Sequence, residues 1–383
     1  MKNINVSEIE RAYRAHNEKR VAEAYCLGSF ARILDKNGEL WQGSVGHADL
    51  GRTREITGKT VFRLASMTKP ITAVALMQMA EKGRLSLDTP IHTFLPCYEN
   101  MQVATRLAGG RVVESKDARF SITPRHLLSH SSGLGSGAAA RASGVEKCAL
   151  LARSVEEYAT ACLDFHPGTS VQYSPLWAFD VLLRLVELLA DMPYDEYMKK
   201  YICEPLGMVD TTYAPNDEQV ARCVDFVQRT EEGLIPTEIP SRAGFVGFED
   251  GCIGGGAGLF STPDDYARFA RMLLFEGELD GVRILKPESV REMATNGEIC
   301  TLTGARVQNP FGLGMRVCGE PDGDDQPLPK GSFGWSGAFG CHFWIDIQNG
   351  IACTYFMNLS NGGGSDEEAS KEFERDVMRG IKT

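Results

Sequence analysis

Residues 62–83, FRLASMTKPITAVALMQMAEKG, constrain this chain more than any other stretch. Pro70 has no backbone N–H, which is harmless only within the first turn of a helix. The spacing therefore predicts a helix that starts near Ser66 and stops at Gly83. From Ile71 to Ala80 the helix is apolar almost all round, so it belongs between layers and not on a surface. Burying it takes a chain large enough to cover both sides. With 383 residues, 43% hydrophobic and 24% charged, the chain has that size and a globular composition.

Ser66 and Lys69 are three residues apart and share one face of that helix. At a helix N-terminus, free N–H groups and the helix dipole favour developing negative charge. A serine hydroxyl is a weak nucleophile until a neighbouring base takes its proton. A lysine in a dry site can be that base, because desolvation disfavours its charged form. The bland alternative is that Ser66 only caps the helix and Lys69 lies in solvent. The burial expected of this helix argues against it.

On either side the chain has a mirrored organisation. Residues 5–25 read as a helix, followed by two strands joined across Asn37-Gly38, a strong hairpin signal. Near the other end GSFGWSGAFG, CHFWIDI and IACTYFMNL are strand-like, with a second tight turn at Asn349-Gly350. A polar amphipathic helix from about 366 to 381 closes the chain. One sheet assembled from both termini is expected. We therefore expect residues 1–95 and 246–383 to form a discontinuous α/β domain, and 96–245 a mostly helical insertion.

Charge and cysteine content narrow the setting. A formal net charge of −11 repels phosphate backbones and anionic membrane surfaces. No run approaches the roughly 18 apolar residues that span a bilayer, and the N-terminus lacks the apolar core of a signal peptide. The 11 cysteines are scattered, with no CxxC pair, which fits reduced thiols better than a disulfide or zinc scaffold. A cytoplasmic location is expected, with no nucleic-acid or membrane partner.

Five segments in register, LASMTKP, LLSHSSGL, QYS, GGGAGLFST and FGWSGAFG, resemble the serine β-lactamase-like superfamily. Within it they are most similar to the class C branch. That branch takes in class C β-lactamases, D-alanyl-D-alanine carboxypeptidases, D-aminopeptidases and family VIII carboxylesterases. The resemblance covers roughly residues 20–380 and implies an antiparallel sheet flanked by helices, with an insertion. It implies that Ser66 is the nucleophile and Lys69 the base. Tyr173, in Tyr173-Ser174-Pro175, matches the Tyr-x-Asn motif and would shuttle the proton. Trp335-Ser336-Gly337 matches the Lys-Thr-Gly motif, and the N–H groups of Ser66 and Ala338 would form the oxyanion hole. Beside a lysine ammonium the Tyr173 phenolate is expected to be stabilised, so the two would share a proton.

Two departures bear on substrate. Pro175 stands where the family has Asn and offers no side-chain amide to a substrate carbonyl. Trp335 stands where it has Lys, and one neutral N–H replaces a charge-assisted partner for a carboxylate, worth roughly 1.5–3 kcal/mol. Both point away from β-lactams and D-Ala-D-Ala stems and towards small neutral esters. Arg316 is the nearby cation that could replace the lysine. Amide, acyl-transfer or weak β-lactam turnover would use the same Ser-Lys-Tyr chemistry. A member that binds without turnover is the reading from another class.

Other signals are weaker. GGGAGLFSTPDDYARF lacks the GK[ST] of a phosphate loop, and Thr262, Pro263 and the two aspartates read as a capped helix. Its glycines would let backbone pass close to the site. His130 is expected to be a hydrogen-bonded structural residue and not a base. Cys341 and His342 are adjacent on a strand and so face opposite sides. No metal and no cofactor are expected.

Overall fold

The hairpin at Asn37-Gly38 is present and starts the sheet. In the computed structural model, which describes residues 4–147 and 150–382, helix α1 spans Val6–Ala22 and strands β1 and β2 span Gly28–Asp35 and Gly38–Gly46. Asp35 Oδ1 accepts the turn N–H groups of Asn37 (2.7 Å) and Gly38 (3.1 Å) and closes the loop. Helix α2 spans Thr68–Glu81, α3 spans Trp177–Ala190 and α4 spans Pro263–Leu274. Strands β3 (Arg316–Val317), β4 (Phe333–Ser336), β5 (His342–Asp346) and β6 (Ile351–Phe356) precede the closing helix α5, Glu368–Lys382.

The six strands form one sheet in the order β3-β4-β5-β6-β1-β2, antiparallel throughout. The last strand lies beside the first, pairing Ile33 with Cys353 and Phe30 with Phe356. Alternation along the strands decides what covers each face. Phe343 and Phe356 meet Tyr266 of α4, whereas their neighbours Trp344 and Tyr355 meet Phe373 of α5. Helices α1 and α5 pack together on that second face, closed by a cluster of Tyr13, Trp41 and Phe373.

Helix α2 is buried from Thr68 to Met79, as its all-round apolar surface demands. Its end is a Schellman turn: Gly83, at φ +67°, donates to Ala80 O, and Arg84 donates back to Met79 O. Thr262 caps α4 by accepting the Asp265 N–H at 3.2 Å, with Pro263 in the first turn. Residues 96–245 hold α3 and further helices, but they also carry two-stranded ribbons. Gln102–Ala108 pairs with Arg111–Asp117, and Val227–Thr230 with Gly233–Pro236. The first ribbon follows from Gly109-Gly110, both left-handed (φ +58° and +72°), which form the kind of two-residue turn a hairpin needs.

Candidate active site

The segment that carries Ser66 is a single 3-10 turn, Ala65–Met67, feeding directly into α2. Ala65 is buried and held at φ +46°, a conformation a non-glycine residue keeps only when its surroundings enforce it. Those surroundings are visible. Ala65 packs on Phe226 and Phe339, and Gly337 passes so close that an added Cβ would lie 2.3 Å from Leu64 O. Tyr266 donates to Met67 O at 2.9 Å from below.

Lys69 is fully buried one turn on. Its Nζ lies 3.1 Å from Ser66 Oγ, 2.7 Å from Pro175 O and 2.8 Å from Gly256 O. Burial pushes its ammonium down to about 7, against an opposing pull from the Asp180 carboxylate. A neutral amine has two N–H groups and one lone pair. Donating to the two carbonyls leaves that lone pair for the Ser66 hydroxyl, the geometry of a general base. Tyr173 completes the group, its hydroxyl 2.8 Å from Ser66 Oγ.

The expected sharing of a proton between Tyr173 and Lys69 is corrected. Burial pushes Tyr173 up to about 12, against the opposing hydrogen bonds of Ser66 and the Trp335 indole. Burial thus favours Tyr173 as a neutral donor and acceptor near pH 7, and it favours the neutral amine of Lys69.

The glycine segment does pass close to the site. Gly256 O and Gly255 O accept from Lys69 and Thr72, and Leu259 bonds Leu64 and Thr68. A Cβ at Gly255 would lie 2.0 Å from Phe179 O. Asp180 of α3 anchors this segment from behind. It accepts from Gly255 N (2.9 Å), Lys147 Nζ (2.9 Å) and Tyr158 Oη (3.1 Å) and is fully buried. No short motif marked it, since its partners come from three distant segments.

A cavity of about 500 Å³ opens over Ser66 and Tyr173, with Trp335, Ser336 and Ala338 from β4 and the turn after it on its wall. Its lining combines apolar Phe311, Leu328, Phe333 and Phe343 with Arg316, His342 and Glu374. Arg316 is exposed, so a cation does stand at the cavity mouth. Pro175, expected to contact substrate, is exposed and is not among the residues that line this cavity. Its carbonyl is tied to Lys69, so its missing amide is replaced by a role in holding the base. Gly337 likewise lies against Leu64 and not on the wall.

His130 is held as a structural residue. Its Nδ1 accepts the Ser174 N–H at 3.2 Å, its carbonyl accepts from Gln172, and its ring lies 5.7 Å from Trp335, nearly parallel to it, and 4.8 Å from Tyr173. Burial and the Lys69 charge hold its pKa well below the usual histidine value. Cys341 and His342 do face apart. The thiol turns to Met357 O, whereas the imidazole bonds Ser336 and Glu374.

The Beta-lactamase family profile covers residues 13–374, so the chain belongs to that family. It is a serine hydrolase with the β-lactamase/transpeptidase-like fold. Protein Rv1367c of Mycobacterium tuberculosis is 32% identical over 366 residues, covering 88% of each chain. Esterase EstB of Burkholderia gladioli is 28% identical over 382 residues, 91% of this chain and 90% of its own. Among solved structures, EstCE1, a hydrolase with promiscuous acyltransferase activity, superposes with a TM-score of 0.79 at 22% identity, covering 97% and 99% of the chains. No helix among the described residues is long and apolar enough to cross a membrane.

Proposed function

We propose that the protein is a carboxylesterase that cleaves small neutral esters through an acyl-enzyme on Ser66. One observation carries the reading. Ser66 Oγ lies at once 3.1 Å from Lys69 Nζ and 2.8 Å from Tyr173 Oη, at the base of a cavity with an aromatic inner wall. Neutral Lys69 takes the Ser66 proton as Oγ attacks the ester carbonyl. The N–H groups of Ser66 and Ala338 receive the oxyanion, and such a donor is worth roughly 3–4 kcal/mol in the transition state. Tyr173 passes the proton to the departing alkoxide, which leaves as the alcohol. Water then attacks the acyl-enzyme by the reverse route and releases the acid.

The preference for neutral esters is supported by Trp335. Its indole N–H bears on the Tyr173 hydroxyl, so the residue standing where relatives of this type carry a lysine is not a free donor for a carboxylate. The name of the relative EstB supports ester chemistry.

The test is the hydrolysis of short-chain p-nitrophenyl esters by wild type and Ser66→Ala, alongside D-aminoacyl amides and nitrocefin. We expect ester turnover, loss of it in the variant, and a Ser66 mass adduct after fluorophosphonate treatment. Equal ester rates in the two proteins, or no adduct, would overturn the reading.

A further inference from the structure

Ser336, His342 and Glu374 form a continuous hydrogen-bonded chain on the cavity wall. Register pairs Ser336 of β4 directly with His342 of β5, so both side chains share the sheet face turned to α5. Ser336 Oγ lies 2.8 Å from His342 Nδ1, and His342 Nε2 lies 2.8 Å from Glu374 Oε1 of α5. The imidazole and the carboxylate are only 12% and 13% exposed, and all three residues line the same cavity as Ser66.

Chemistry orders the protons along this chain. An ionised carboxylate only accepts, so the His342 Nε2 must carry the hydrogen that faces Glu374. In the neutral ring Nδ1 is then a lone pair, and the Ser336 hydroxyl is the donor beside it. Ser336 thereby spends its proton inward and offers only lone pairs to the cavity. If the ring takes a second proton, Nδ1–H donates to Ser336 Oγ, and the serine hydrogen turns outward. The charged groups sharing this wall are Arg316 of β3, Asp325 of the loop after it, and Lys371 and Glu374 of α5. On the far side of β5, Tyr355 of β6 pairs with His342 and directs its own hydroxyl to Asn17.

We propose that His342 and Glu374 are positioning residues that fix the hydrogen-bonding sense of Ser336 and thereby make it a specificity determinant. With His342 neutral, Ser336 selects esters that present a hydrogen-bond donor to this wall and rejects those that present a carboxylate. The inference rests on the Ser66 acyl-enzyme reading, because it concerns selectivity among the substrates of that site.

Two rigid esters of one shape test it: the p-nitrophenyl esters of 4-(aminomethyl)benzoic acid and of terephthalic acid. In wild type the ratio of kcat/KM, ammonium over carboxylate, is expected to lie well above one. His342→Phe, which frees the Ser336 hydroxyl, is expected to lower that ratio about tenfold or more, the scale of one hydrogen bond to a charged group. Ser336→Ala, which removes the acceptor, is expected to lower the ratio as well. The fluorophosphonate adduct on Ser66 shows that each variant is folded and competent. As a second readout, imidazole 15N shifts of the wild-type enzyme at high pH are expected to place the proton on Nε2 of His342. A proton on Nδ1, or a ratio indifferent to both substitutions, overturns the proposal. Adduct formation and ester turnover with an unmoved ratio sink this inference alone. Their absence sinks the acyl-enzyme reading itself.

Discussion

Lys69 is the residue on which the pH behaviour turns. On the proposed mechanism its neutral form is the active one, and burial holds its ionisation at about 7. The rate kcat/KM on a neutral ester is therefore expected to rise with pH through about 7 on the acid limb. Lys69→Arg, which stays charged, is expected to lose about 10²–10⁴-fold in rate and to lose that limb. A pH–rate profile of both proteins checks this. The same shift has a stability consequence of definite sign. Between the folded value, about 7, and the ordinary value, 10.5, the unfolded chain binds more protons than the folded one. Stability from this group therefore rises with pH across that window. Wild type is expected to gain on Lys69→Met as pH goes from 6.5 to about 9.5, measured by urea unfolding. A gap that stays constant would contradict the assignment.

At the scale of elements, the site depends on backbone that only small residues allow. A Cβ on Gly256 would lie 2.6 Å from Pro175 O, the other carbonyl that holds Lys69. Gly256→Ala is expected to lower Tm and to reduce kcat at least tenfold, because both carbonyls that hold the amine must move. The control is Gly297→Ala, where an added Cβ meets nothing within 4 Å. It is expected to stay within about 0.5 kcal/mol of wild type with unchanged turnover. Asp180→Asn leaves Lys147, only 7% exposed, without its anion. A loss of roughly 3–5 kcal/mol in chemical denaturation is expected, as for other broken buried pairs.

Legibility differed between elements for physical reasons. Ser66 and Lys69 could be read together because helical spacing alone puts them on one face. Tyr173 was found through its motif. Its raised ionisation was not, since that depends on how completely neighbours exclude water. Gly109-Gly110 marked a hairpin that was passed over within a helix-rich stretch. Glu374 was invisible for a different reason. The amphipathic closing helix showed which side faces the sheet, but nothing local says which of its acids meets a histidine 32 residues earlier.

The whole molecule is held by contacts between its two ends. Phe373 of α5 sits among Tyr13, Trp41, Trp344 and Tyr355 with centroid distances of 5.9, 6.1, 5.5 and 5.9 Å. Phe373→Ala is expected to cost about 3–5 kcal/mol and to raise amide exchange in β1 and β6 together. Faster exchange confined to α5 would show that the termini are not one cooperative unit. The closure has a consequence during synthesis. A ribosome delivers Ser66, Lys69 and Tyr173 long before Trp335 and Ala338, and β1 waits for β6 as its neighbour. A chain released early would carry the whole Ser-Lys-Tyr group without Ala338 and with β1 paired on one side only. Full-length translation thus acts as a built-in licence, and prematurely ended copies are expected to be catalytically silent.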